Sequence, residues 1–74
     1  MKIVLADDHR LMREGLRALL EKEGLDVVGE AVNGREAIVL ARSLRPDVVV
    51  MDISMPELNG IDATRALTAE LPQI

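Results

Sequence analysis

The run VVVM, residues 48–51, ends on a bare aspartate, Asp52, and a proline follows four positions later. A short β-branched apolar run of this kind reads as a strand buried on both faces of a parallel sheet. A lone carboxylate inside such a sheet is costly unless it is paired, hydrogen-bonded or bound to a metal. Asp52 is therefore either a solvated residue just past the strand end or a group with a purpose there.

The rest of the chain repeats the same unit. Lys2 to Ala6 reads as a buried strand, followed by the acids Asp7 and Asp8. From about Leu11, the residues Met12, Leu16, Leu19 and Leu20 recur at helical spacing, and Gly24 is a helix stop. Leu25 to Ala31 reads as a second strand, placed at an edge because Asp26 and Glu30 flank Val27 and Val28. In the segment NGRE, Asn33 can cap a helix, with Glu36 three residues on as in a capping box. Ala37, Ile38, Ala41 and Leu44 form that helix's apolar face. Arg45 precedes Pro46, which breaks the helix. The segment SMPELNG reads as a loop from its Pro, Asn and Gly. Ile61 to Leu71 reads as a third helix, with Ile61, Ala63, Leu67 and Leu71 inward and Pro72 at its end. Gln73 and Ile74 are read as the start of a further strand.

The order β-α-β-α-β-α dictates a parallel α/β sheet with right-handed crossovers. Ligands of such sheets bind beyond the carboxyl ends of the strands, where strand order reverses. Asp7 and Asp8 follow the first strand and Asp52 follows the third, so neighbouring strands bring three carboxylates together. Their repulsion is relieved by a hard divalent cation; Mg²⁺ takes oxygen ligands and works with phosphates. A carboxylate beside such an ion is a candidate nucleophile toward phosphorus. The plainer alternatives are that Asp7 and Asp8 favour a helix N-terminus and that Asp52 is merely solvated.

Composition excludes several other functions. With 74 residues the chain makes one small domain, and 49% hydrophobic with 30% charged residues is a globular balance. Nine basic against 13 acidic residues give a net charge of −4, the wrong sign for a nucleic-acid surface. The absence of aromatic residues excludes base stacking on aromatic platforms. No apolar stretch approaches the ~20 residues of a membrane helix, and none makes a signal-peptide core. With no cysteine there is neither a disulfide framework nor a thiolate metal site. These features lead us to expect a cytoplasmic protein. His9 reads as a surface residue, Met51 and Met55 as packing atoms, and Arg10, Arg13 and Arg17 as a solvated helix face.

The segments LADDHRLMREGLRALL, VVGEAVNGREAI and RPDVVVMDISMPELNGID together resemble the receiver domain of bacterial two-component response regulators. The likeness runs from Met1 to Ile74 and is strongest to the LuxR/NarL-like subfamily, which carries a C-terminal helix-turn-helix. It implies a flavodoxin-like fold with strand order 2-1-3 in the part present. It also implies that Asp52 is the phosphoacceptor and that Asp7 and Asp8 bind Mg²⁺, at least one through water. Ser54 lends its backbone carbonyl to the metal; Met55 and Pro56 shape the loop, and Gly60 relieves it.

The same likeness makes a sensor histidine kinase the partner and transcription the output of a longer parent. It makes the chain an acceptor and not an enzyme. Receivers have five strands and five helices, so residues 1–74 are expected to be the N-terminal part of one. The family's Ser or Thr after strand four and its Lys after strand five have no counterpart here, so transfer to Asp52 is expected to be slow. The open sheet is expected to drive homodimer formation, and a self-associating module without phosphotransfer is an alternative function. An aspartyl-phosphate phosphatase is disfavoured, because Ser54 stands where such enzymes place a second Asp.

Overall fold

The computed structural model describes residues 1–52, 59–71 and 74. Its element order is β1 (Lys2–Ala6), α1 (Arg10–Lys22), β2 (Asp26–Ala31), α2 (Gly34–Leu44), β3 (Val48–Met51) and α3 (Gly60–Glu70). The strands are parallel in the order β2-β1-β3, the 2-1-3 arrangement expected from sequence. The reading of Pro72 as a helix end falls outside the described residues.

β1 lies in the centre and alternates its side chains between two cores. Ile3 and Leu5, with Val27, pack under Leu16 and Leu20 of α1 and under Leu25. Ala6 faces the other way, with Ala31, Ala37, Leu40 and Met51. On that second side Ala41, Leu67 and Leu71 join α2 to α3, with Ile38, Val49 and Ile74 packed around them. At Gly29 an added Cβ would stand 3.0 Å from Leu44 Cδ1 and 3.4 Å from Leu40 Cδ1, so the missing side chain lets α2 approach β2.

The element ends follow local chemistry. Gly24 after α1 has φ +81°, the left-handed geometry that suits glycine. The Asn33 side chain accepts from the Glu36 amide at 2.8 Å, and Glu36 returns the contact to the Val32 amide at 3.0 Å. This is a capping box displaced by one residue on the return side. Arg45, before Pro46, ends α2 with φ 47°. Asp47 then fixes the start of β3: its amide donates to the Lys2 carbonyl at 2.8 Å, and its carboxylate accepts from the Lys2 amide at 2.7 Å.

Three expectations need correction. β3 is not buried on both faces: Val48 is 37% and Val50 38% exposed, while Val49 and Met51 turn inward. α1 sits over β1 and β2, and no described element covers the Val48–Val50 side. Ile61 is 56% exposed, because the buried stripe of α3 runs through Gly60, Ala63 and Leu67. In α1, Met12 and Leu19 are exposed, and only Leu16 and Leu20 reach the core.

Candidate functional site

Two strand ends build the site. β1 and β3 are paired from Ile3 with Val48 to Ala6 with Met51. The Asp52 amide continues this ladder by donating to the Ala6 carbonyl at 2.8 Å. On the other side, the Asp7 amide donates to the Ala31 carbonyl at 3.0 Å, so β2 holds Asp7 as well. The sheet thus places Asp7 and Asp52 next to each other by backbone pairing alone.

The turn between β1 and α1 arranges the rest. Asp7 is 8% exposed, and its Oδ1 accepts from the His9 amide at 2.8 Å, a local turn of the kind aspartate favours. His9 is the N-cap of α1 and makes no side-chain capping bond. Its Nδ1 lies 3.1 Å from Asp7 Oδ1, 3.0 Å from Asp8 Oδ1 and 4.0 Å from Asp52 Oδ2. One ligand atom from each of Asp7, Asp8, His9 and Asp52 lies within 4.8 Å of every other.

The electrostatics follow from this crowding. The hydrogen bond to Asp7 raises the His9 pKa above its ordinary value, and the negative charges of Asp8, Asp7 and Asp52 push it the same way. Three carboxylates with one imidazole make an oxygen-rich donor set that fits a hard divalent cation.

The structure brings Asp7, Asp8 and Asp52 together as their positions in sequence imply. Ser54, Met55 and Pro56 lie outside the described residues. Gly60 is buried as the first residue of α3, after Asn59, whose side chain accepts from the Asp62 amide at 2.9 Å. His9, read from sequence as a surface residue, does have an exposed ring, yet its Nδ1 points into the acid cluster.

Arg13 is also placed differently from its reading as a solvated residue. Its Nε donates to Glu30 at 3.0 Å and its Nη1 to the Asp7 carbonyl at 2.9 Å. Spacing along α1 identified a polar face but not the strand residue beneath it. The pairing of an edge glutamate with arginines four residues apart was the signal available.

Beside the acids, Leu5, Leu16, Met12 and Val50 line an open groove of about 220 Å³ that reaches Asp7 and Asp52. No described helix is long and apolar enough to cross a membrane.

Comparison with known proteins agrees with this geometry. The family profile for the response regulator receiver domain matches residues 3–74. The response regulator GacA of Pseudomonas aeruginosa is 48% identical, over 100% of this chain and 35% of its own length. The transcriptional regulatory protein LnrK of Bacillus subtilis is 47% identical, over 100% of this chain and 34% of its own length. The crystal structure of the response regulator domain of Thermotoga maritima CheB superposes with a TM-score of 0.93 at 38% identity, covering 97% of this chain and 55% of that one. The chain spans about a third of the length of these two curated relatives.

Proposed function

The chain belongs to the response regulator receiver domain family, and on that premise we propose that Asp52 accepts a phosphoryl group beside a Mg²⁺ site formed with Asp7 and Asp8. The observation that carries this reading is the convergence of the three carboxylates at the ends of β1 and β3. The Ser54 backbone carbonyl is proposed as a further ligand, with Met55, Pro56 and Gly60 shaping the loop.

In the proposed step, a carboxylate oxygen of Asp52 attacks phosphorus of a phosphohistidine. A P–O bond forms and the P–N bond breaks. The electron pair leaves with the donor imidazole, which takes up a proton, and Asp52 becomes an acyl phosphate. When bound, Mg²⁺ offsets charge on the phosphoryl oxygens. Asp7, whose amide donates to the Ala31 carbonyl of β2 and whose carbonyl accepts from the Arg13 side chain of α1, fixes one side of the site. The rigid end of β3 presents Asp52 on the other.

The donor is proposed to be a sensor histidine kinase. The output is proposed to be transcription, as the names of the relatives suggest. Residues 1–74 are proposed to form the N-terminal part of a receiver domain, which agrees with the share of the CheB structure they cover. The exposure of Val48 and Val50, which no described element covers, supports a proposed homodimer through this side of the sheet. Titration with Mg²⁺ followed by NMR tests the site: the amides of Asp7, Asp8 and Asp52 should shift together. Unmoved signals up to about tens of millimolar, a ceiling for weak hydrated sites, would remove the metal from the account.

A further inference from the structure

The helix α1 carries Arg13 and Arg17 four residues apart, and both reach Glu30 of β2. The two arginines then part. Arg17 turns away from the acids, donating to the Val27 carbonyl at 3.3 Å and to Glu21 at 3.3 Å. Arg13 turns toward them, and its Nη1 meets the Asp7 carbonyl at 2.9 Å. Its side chain is only 14% exposed.

The Asp7 carbonyl belongs to the peptide unit that joins Asp7 to Asp8. That unit is planar, so fixing its oxygen fixes the direction in which both residues leave it. Two of the three clustered carboxylates flank this single plane. The Asp7 amide is already held by Ala31. Among the described residues, Arg13 is the donor that holds the oxygen of the peptide that follows.

The planar arginine fork, with several donors in fixed directions, holds the Glu30 carboxylate and this carbonyl at once. Glu30 also offsets the arginine charge, so Arg13 acts on the acids through geometry. We propose that Arg13, braced by Glu30, is a positioning residue that aims the Asp7 and Asp8 carboxylates into the site. The inference rests on the cation site proposed above and says what keeps it in register.

A simple structural role for Arg13 is to tie α1 to β2, and Arg17 does the same through the same Glu30. Arg17→Met is therefore the matched control for Arg13→Met. Two measurements separate the roles. The first needs no metal: the ¹³C carbonyl shift of Asp7 and the amide shift of Asp8. The second is the affinity for Mn²⁺, read by paramagnetic broadening.

The positioning role requires Arg13→Met to move both shifts and weaken Mn²⁺ binding about tenfold, the lower end of what outer partners of metal ligands contribute. Arg17→Met should leave both close to the parent chain. Arg13→Lys keeps a cation and a donor but not the fork, and should fall between; it also serves if Arg13→Met does not fold. Equal losses in Arg13→Met and Arg17→Met, or unchanged values in Arg13→Met, overturn the inference. If the parent chain binds no Mn²⁺, the cation reading fails and this inference with it, whereas a parent chain that binds Mn²⁺ no better than Arg13→Met does overturns the inference alone.

Discussion

The Asp52 amide donates to the Ala6 carbonyl at 2.8 Å, one step past the last β1–β3 pair. In a parallel ladder this step fixes the register of the residues that follow both strands. Asp52 therefore stands beside Asp7 whatever the side chains prefer. The juxtaposition of Asp7 and Asp52 is a product of backbone pairing, and the electrostatic cost of that pair is imposed by the sheet.

Removing one acid of the cluster should separate the cost of crowding from its use. At alkaline pH, where His9 carries no charge to pair with Asp8, Asp8→Asn is expected to leave the metal-free chain as stable as before or more so, because like charges no longer crowd. It should also lose the stabilisation that Mg²⁺ confers. At a concentration ten times the dissociation constant, that gain is about 1.4 kcal/mol for the parent chain. Thermal melts with and without Mg²⁺ check both parts.

The cap of α2 makes a simpler case. Asn33 accepts from the Glu36 amide, and its replacement by alanine leaves a helix donor without that partner. Asn33→Ala should destabilise the chain by about 1 kcal/mol in urea unfolding. The Ala31–Val32 peptide joins this cap to the acid cluster, since its amide donates to Glu36 and its carbonyl accepts from the Asp7 amide.

Glu30 gives the fold an acid limit. Hydrogen bonds from Arg17 and then Arg13 lower its pKa below the ordinary value of 4.5. The folded state binds this proton less tightly than the unfolded chain does. Its stabilisation is therefore complete above pH 4.5 and is lost as pH falls through the lower folded value. Glu30→Gln should flatten this part of the stability curve as pH falls below 4.5. A curve of unchanged slope would show that Glu30 does not carry it.

The two sides of β3 should respond differently to charge. Val49 packs against the Ala41, Leu67 and Leu71 cluster, whereas Val50 is on the uncovered side. Val49→Asp places an unpaired charge in that core and should unfold the chain, at a cost of several kcal/mol. Val50→Lys should fold and shift a dimer to monomer in sedimentation experiments. A parent chain that is monomeric at high micromolar concentration removes the homodimer.

Much of this was legible in the residues. Strand and helix periods, the Gly24 stop, the Asn33 cap and the two acidic strand ends are local signals, and local physics decides them. The exposure of Ile61 was not local: it depends on which face of α3 meets α2, and that face is set by the small residues Gly60 and Ala63, which permit close approach, and by Leu67, which packs on Ala41 and Leu71. VVVM has the same composition whether one face is covered or two, so the open side of β3 was expected only from the family resemblance and not from the strand's own residues. Arg13 was missed because helical spacing says which residues share a face, while Glu30 comes from a strand more than ten residues away. The cap at Asn59 repeats the Asn33 pattern, and its first-turn Asp62 was a readable sign.

Phosphoryl labelling addresses the acceptor role most directly. The chain is incubated with acetyl phosphate and Mg²⁺, and the modified residue is located by mass spectrometry after trapping. The P–O bond to acetate breaks as the bond to the acceptor carboxylate forms. Label on Asp52 that requires Mg²⁺ and disappears in Asp52→Asn is the expected result. Label on another residue, or label that persists in Asp52→Asn or without the metal, would contradict the assignment of Asp52 as the phosphoacceptor.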